Sequence, residues 1–215
     1  MNPLLLVMNP RNIVECVESI ARLPIDQAWL TGYTEFELTA LIEAIIRDSD
    51  YSHYLICSDD GVIPEFALES VVERLDDHPV VTGYSNLDAV DWRVNLTKTP
   101  FQVTSHSVME DYDLYHVSDV WGWPDELVPT YFAGFALTGM SREMWQKYPY
   151  TSIGNPSDYS LCVRLQKDGV PIVAPKQACM WHAKEVINQE DQEARKRVLV
   201  GQIEPVVTMR TGVLA

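Results

Sequence analysis

Short continuous apolar runs alternate, over the first 85 residues, with segments whose apolar positions recur at helical spacing. Leu4 to Met8 is the first run, uninterrupted by polar residues, the form of a strand buried on both faces. Asn12 then offers an N-cap with Glu15 three residues on, and Ile13, Val17, Ile20 and Ala21 follow on one helical face, ending before Pro24. Gln27 to Leu30 reads as a second strand. Thr34 and Glu37 form a capping box, opening an apolar helix from Phe36 to about Arg47. Tyr54 to Cys57 is a third strand, and Pro64 fits the first turn of a helix whose expected buried face is Phe66, Leu68, Val71, Val72 and Leu75. Val80 to Tyr84 is a fourth strand. Strands alternating with helices predict βαβ units and an α/β fold with a mostly parallel central sheet flanked by helices.

The pattern weakens between 85 and 130, where Trp92, Trp121 and Trp123 stand among Asp, Ser and Pro without sustained period. This reads as an irregular insertion, either covering a substrate or packing a small cluster of its own. Apolar character returns from Tyr131 to Thr138 around Gly134, and Ser141 can cap a helix through Trp145. A helix starting at Asn155-Pro156-Ser157-Asp158 carries Leu161, Cys162 and Leu165 and stops at Gly169. Ile172 to Ala174 is a last core strand, and Ala178 to His182 a short edge-like element. The expected organisation is one domain over 1–185, containing the 85–130 insertion, followed by a polar helical tail over 186–215.

Composition changes this picture mainly by exclusion. Sixteen Lys and Arg against 31 Asp and Glu leave a net charge of −15. That argues against general binding to nucleic acid or anionic membranes, both of which need a positive field, although a local patch could still admit a modified nucleobase as a small acceptor. The basic cluster Arg195-Lys196-Arg197 lies among Glu190, Asp191 and Glu193 and reads as a solvated helix face. Cys16, Cys57, Cys162 and Cys179 include no Cys-x-x-Cys pair, and three fall among apolar neighbours, the usage of buried free thiols in a reducing compartment. Leu4 to Met8 lacks a basic lead and is too short for a signal peptide or membrane span. A cytoplasmic location is the expectation.

The chemistry is concentrated where the third strand ends, at Ser58-Asp59-Asp60-Gly61. Carboxylates at the carboxyl end of a buried strand lie on the edge where open α/β sheets bind ligands. Two adjacent Asp before Gly are equally a common turn. Phosphate-binding loops are absent: there is no Gly-x-x-x-x-Gly-Lys-Ser/Thr, and the first strand runs into Asn9-Pro10-Arg11 instead of Gly-x-Gly-x-x-Gly. No Gly-x-Ser-x-Gly elbow supports a hydrolase triad. A literal Asp-x-Asp at Asp111-Tyr112-Asp113 follows no buried strand and reads as a solvated loop.

Three blocks together resemble the family 2 type of inverting, metal-dependent glycosyltransferases with the GT-A fold, over roughly Leu4 to His182. Cys57-Ser58-Asp59-Asp60-Gly61-Val62-Ile63-Pro64 is similar to the family's acidic metal motif, with Ser58 where the family often has its first Asp. Ala133-Gly134-Phe135-Ala136-Leu137-Thr138-Gly139-Met140-Ser141-Arg142-Glu143-Met144-Trp145 resembles the glycine-containing strand and following helix that line the donor–acceptor junction in the family. Ser157-Asp158-Tyr159-Ser160-Leu161-Cys162-Val163-Arg164-Leu165 resembles the helix that carries the catalytic base, with Ser157 and Ser160 at acidic positions of the family. The resemblance implies Asp158 as base, Asp60, Asp59 and His182 as ligands of Mn²⁺ or Mg²⁺, and Pro10, Arg11, Tyr33, Asp59 and Gly134 around the donor. Read without it, Asp158 is a first-turn helix charge, Gly134 a packing glycine and His182 a packed imidazole.

The implied activity is transfer of a sugar, with inversion, from a nucleoside diphosphate sugar to an acceptor hydroxyl. Two other classes remain open on these residues. The three serines at acidic positions suit a catalytically silent sugar-nucleotide or glycan-binding domain. A nucleotidyltransferase could use a related sheet, although Leu4 to Arg11 lacks the glycine-rich basic loop that grips a triphosphate.

Overall fold

Leu4, Leu5, Leu6 and Val7 are fully buried in strand β1 (Pro3–Asn9), which is paired in parallel on both sides, with β2 (Asp26–Thr31) and β3 (His53–Ser58). The two-residue period of a strand sends its side chains to two separate cores. Leu4, Leu6 and Met8 pack with Leu38, Ile42 and Ile46 of helix α2 (Glu35–Asp48). Leu5 and Val7 pack with Ile20 of α1 (Val14–Ala21) and with Leu68 and Val71 of α3 (Glu65–Val72). At about 1.5–3 kcal/mol per fully buried aliphatic side chain, this double-sided strand is a main source of the fold's stability. The computed structural model describes residues 1–9, 11–87, 91–100, 112–150, 157–183, 196–198 and 200–212.

Further along come β4 (Gly61–Val62), β5 (Val80–Thr82), β6 (Tyr84–Ser85), β7 (Arg93–Thr97), β8 (Leu114–His116), α4 (Val117–Trp121), β9 (Leu127–Thr130), β10 (Thr138–Ser141) and α5 (Arg142–Lys147). The series continues with α6 (Ser157–Lys167), β11 (Ile172–Pro175), β12 (Cys179–His182) and β13 (Val206–Arg210). The main sheet has the order β13-β2-β1-β3-β10-β5-β11-β9. The expected parallel pairing holds for β2-β1-β3 and for β5-β11; β10, β9 and β13 join antiparallel, so the sheet as a whole is mixed. β10 fits between β3 and β5 because Gly139 leaves room for the side chains of Leu75 and Leu55, and because the Thr138 and Thr82 hydroxyls pair at 3.0 Å.

Four local expectations are corrected. Asn12 does not cap α1: Ile13 is the N-cap residue, and Asn12 has φ 59°, a conformation asparagine tolerates better than most residues. Phe66 does not join the buried face of α3 and is exposed. The strand near Gly134 begins only at Thr138, leaving 131–137 as an irregular connection with a turn at Phe135 and Ala136. The described part of the tail is helical only at 196–198, and Val206–Arg210 instead forms β13 against the outer edge of β2. Its β-branched Val206, Val207 and Thr208 suit a strand, and it covers a sheet edge that would otherwise present unpaired backbone. The Thr34–Glu37 capping box forms as read.

The insertion has its own small core, in which Tyr84, Val94, Leu96, Tyr115, Val120 and Val128 pack with Ala174. It is ordered through β7, β8, α4 and β9. Among the described residues, no helix is long and apolar enough to cross a membrane. All four cysteines are free thiols, and Cys16, Cys57 and Cys162 are buried.

Candidate active site

The turn after β3 is fixed from three directions. Asp59 N–H donates to Met8 O at 3.0 Å, Ser58 N–H to Phe135 O at 2.8 Å, and Ala183 N–H to Asp60 O at 2.9 Å. β1, the Gly134 connection and the end of β12 therefore meet at the two carboxylates. β12 pairs antiparallel with β4, His182 opposite Gly61 and Trp181 opposite Val62, which brings the imidazole beside Asp60. His182 Nε2 lies 3.5 Å from Asp60 Oδ2.

The adjacent aspartates have different surroundings. Asp59 is fully buried and accepts hydrogen bonds on Oδ2 from the backbone N–H of Arg11 (2.7 Å) and Asn12 (2.5 Å). The positive φ of Asn12 lets two successive N–H groups face one carboxylate, a small anion-binding nest occupied by the protein's own side chain. Arg11 Nε bonds Asp59 Oδ1 at 3.0 Å, its Nη1 bonds Asp60 Oδ2 at 2.9 Å, and its Nη2 donates to Ser58 Oγ. Burial pushes the Asp59 carboxyl up from the ordinary range, against the Arg11 charge and the two N–H groups. Burial acts the same way on Asp60, but the His182 hydrogen bond and the Arg11 charge together outweigh it and pull Asp60 down to about 2.

Asp158 reaches the same region from the first turn of α6. Its Oδ1 accepts the Tyr159 N–H at 2.8 Å, and the helix macrodipole favours its charge there. α6 is held in place by Leu161, Cys162 and Leu165, all fully buried. Cys162 Sγ accepts the Ala133 N–H at 3.2 Å and so anchors the connection that bears Gly134. The Phe132 and Tyr159 rings meet edge to face at 5.7 Å.

One cleft of about 220 Å³ is lined by Asp60, His182, Gly134 and Asp158, together with Ser58 and Asn95. Four residues singled out in the sequence, from four separate elements, thus share one cavity. Asp59 and Arg11 stand behind Asp60 as its support and do not line the cleft. Tyr33 packs partly buried against the apolar core beside α2 and is not among the cleft's walls. Pro10 lies outside the described residues, as do Glu110 and Asp111 of the second acidic stretch.

The sequence reading missed the wall supplied by the insertion. Asn95 accepts the Ser85 N–H at 2.8 Å and shares the cleft with Asp60. Its signal was the alternation Val94-Asn95-Leu96 within Arg93–Thr97, short enough to pass for irregular chain.

No protein-family model matches the chain, and no curated protein matches it in sequence. Among solved structures, A197 from STIV superposes over 85% of this chain and 85% of its own, with a TM-score of 0.58 and 13% identity. The mannosyltransferase PcManGT from Pyrobaculum calidifontis, solved with GDP-Man and Mn²⁺, matches over 84% of this chain and 56% of its own, at TM-score 0.49 and 11% identity. The inositol-1-phosphate CTP transferase from T. maritima matches over 92% and 77%, at TM-score 0.48 and 11% identity. The mixed α/β fold, a large central sheet flanked by helices, is shared with A197. At such identities the likeness concerns architecture alone.

In this cleft a divalent cation would find one hard oxygen, on Asp60, and one imidazole nitrogen, on His182. The His182 Nδ1 is buried without a hydrogen-bond partner, so the ring is not committed to a second protein contact. Among the described residues no three His, Cys, Asp or Glu side chains form a metal cluster. The donor set therefore fits an ion completed by substrate oxygens and water, the usual state of a cation on a diphosphate, and not a self-contained protein cage.

Gly134 is needed for space. A Cβ there would lie 2.7 Å from Phe132 Cε1 and 3.1 Å from Cζ. Phe132 is buried and wedged against Tyr159, so its ring has little room to yield. Gly134→Ala is expected to cost about 1–3 kcal/mol, the range for overpacking. Urea unfolding that left the midpoint unchanged would show that the ring moves freely.

Proposed function

We propose that the chain is an inverting glycosyltransferase that moves a sugar from a nucleoside diphosphate sugar to an acceptor hydroxyl with the help of a divalent cation. The observation that carries this reading is the convergence of Asp60, His182, Gly134 and Asp158 on one cleft at the carboxyl end of β3. Asp158 takes the proton of the acceptor hydroxyl as its oxygen attacks the anomeric carbon. The bond from that carbon to the diphosphate oxygen breaks, the nucleoside diphosphate leaves with the bonding pair, and attack from the opposite side inverts the centre.

Asp60 and His182 would hold Mn²⁺ or Mg²⁺, which when bound supplies positive charge for the diphosphate oxygens. Asp60 suits that task because its low value keeps it ionised throughout the neutral and mildly acidic range. Arg11 fixes the orientation of the Asp60 carboxylate, and the Asn12 and Arg11 N–H groups fix Asp59 beneath it. Gly134 leaves the backbone open to the reacting sugar.

One observation favours a second reading. Arg11 and His182 both face the same oxygen of Asp60, so a cation must share it, an arrangement a catalytically silent donor-binding domain could retain. A panel of nucleoside diphosphate sugars, each assayed for release of the nucleoside diphosphate with Mn²⁺ present, separates the two. The transferase reading expects turnover of at least one donor, faster with a hydroxyl acceptor. Donor binding by calorimetry with no release from any donor would establish the silent domain instead.

A further inference from the structure

The main sheet ends on β13, and among the described residues nothing pairs with its outer side. The backbone N–H and C=O groups there form a free edge, a template for another strand. Such edges are ordinarily blunted by charge, proline or a bulge. Here the five residues Val206–Arg210 are all exposed, include neither proline nor carboxylate, and run in unbroken register along β2. Val206, Val207 and Met209 are large apolar side chains left in solvent, and they occupy both faces of the strand. Arg210 is the one charge, and its guanidinium lies 4.8 Å over the Trp29 ring instead of guarding the edge.

The residues along this edge suit a second copy of the same chain as its partner. Glu204 O lies 2.8 Å from where a Cβ on Gly32 would stand, so the backbone already runs beside the end of β2 two residues before β13 begins. Antiparallel pairing of two identical edges about a two-fold axis at Val207 sets Val206 against Thr208, Pro205 against Met209, and Glu204 against Arg210. Two opposite-charge pairs then flank an apolar centre, and no like charges meet. Among the described residues, neither Glu204 nor Arg210 forms an ion pair within its own chain. A net charge of −15 on each copy opposes association. At about 0.15 M salt the Debye length is only about 8 Å, so most of that repulsion is screened while the cross-strand pairs act in contact.

We infer that β13 is a docking edge for a second copy of this chain, joining the two main sheets into one continuous sheet across a two-fold axis. Each copy supplies the same strand and the same Glu204 and Arg210, so the contact closes on itself and gives a dimer, not a fibre. β2 and β1 separate β13 from β3 and its cleft, so both clefts stay open in the dimer. The contact is short, and its affinity belongs to the weak, concentration-dependent end of protein–protein association. The dimer is indifferent to which reaction the clefts serve.

Analytical ultracentrifugation of the full chain, from about 1 µM to about 1 mM, tests the pairing. The mass is expected to rise from one chain to two, with nothing larger. Val207→Lys sets two ammonium groups on the axis and should weaken the dimer by roughly 10-fold or more. Glu204→Lys should do the same, because it turns a like charge toward Arg210. That exchange also moves the net charge toward zero, so general repulsion alone predicts the opposite sign. Both positions are exposed, so the unfolding midpoints of the two variants should match the wild-type chain. The swap Glu204→Lys/Arg210→Glu should restore the wild-type affinity to within about 3-fold. A single-chain mass throughout, a dimer indifferent to Val207→Lys, one tightened by Glu204→Lys, or a swap that recovers nothing would each overturn the edge-to-edge pairing.

Discussion

Arg11→Met is expected to lower the unfolding free energy by about 3–5 kcal/mol at neutral pH, the range for breaking a buried ion pair from one side. Asp59 has no exposed surface, and Arg11 is only 13% exposed, so solvent cannot replace the lost guanidinium. The backbone N–H groups of residues 11 and 12 would remain, which places the loss toward the lower end of that range. The effect carries a pH signature. The Asp59 carboxyl already titrates above its unfolded value, so its ionisation opposes folding, and that penalty develops as pH rises through the folded value. Without Arg11 the folded value climbs further. The deficit of the variant relative to the wild-type chain should therefore be greatest at neutral pH and shrink on acidification toward the carboxylate range. Urea melts at pH 7 and pH 5 measure this, and Arg11→Met/Asp59→Asn should recover part of the loss because no buried charge is left alone. A deficit under 1 kcal/mol, or one independent of pH, would contradict the assignment of Arg11 as the counter-charge of Asp59.

Much of that arrangement was legible in the sequence, and its limits have physical causes. β1, β2, β3, α2 and α6 could be read because continuous apolar runs and capping residues are local signals. Asp60 could be nominated from its place at a strand end, but Asp158, Gly134 and His182 only because the blocks that hold them resemble a known family; read alone they are a helix charge, a packing glycine and a packed imidazole. The division of labour between Asp59 and Asp60 could not be read. It depends on the left-handed turn at Asn12, forty-seven residues away in the chain from Asp59, which converts one of two identical side chains into a buried support. The resemblance put Arg11 near the donor, but nothing in the sequence showed that its guanidinium binds Ser58, Asp59 and Asp60. β13 was missed because an edge strand with mostly exposed side chains shows no burial pattern, and because a polar tail ordinarily frays.

Asp158→Asn is expected to reduce sugar transfer by roughly 10²–10⁴-fold, the range for removing a general base, with the unfolding midpoint little changed. Asparagine keeps the shape and can still accept the Tyr159 N–H through its amide oxygen. It cannot take a proton. The affinity for the donor should survive, since the group acts on the acceptor hydroxyl, so the loss belongs in kcat and not in donor KM. A parallel Ser157→Ala control alters the neighbouring residue without touching the carboxylate and should remain active. Turnover by Asp158→Asn within a factor of three of the wild-type chain would remove Asp158 from the chemistry, and the cleft would then need another base.

The central claim is that Asp60 and His182 present a cation to a diphosphate in the cleft that Asp158 serves. It is tested most directly by the rate of nucleoside diphosphate release from a cognate donor sugar, measured across a titration of Mn²⁺ and again with excess chelator. The account predicts saturable dependence on the ion, loss of turnover in chelator with recovery on adding Mn²⁺ back, and a weaker apparent ion affinity in His182→Ala. Release at full rate in chelator would contradict it.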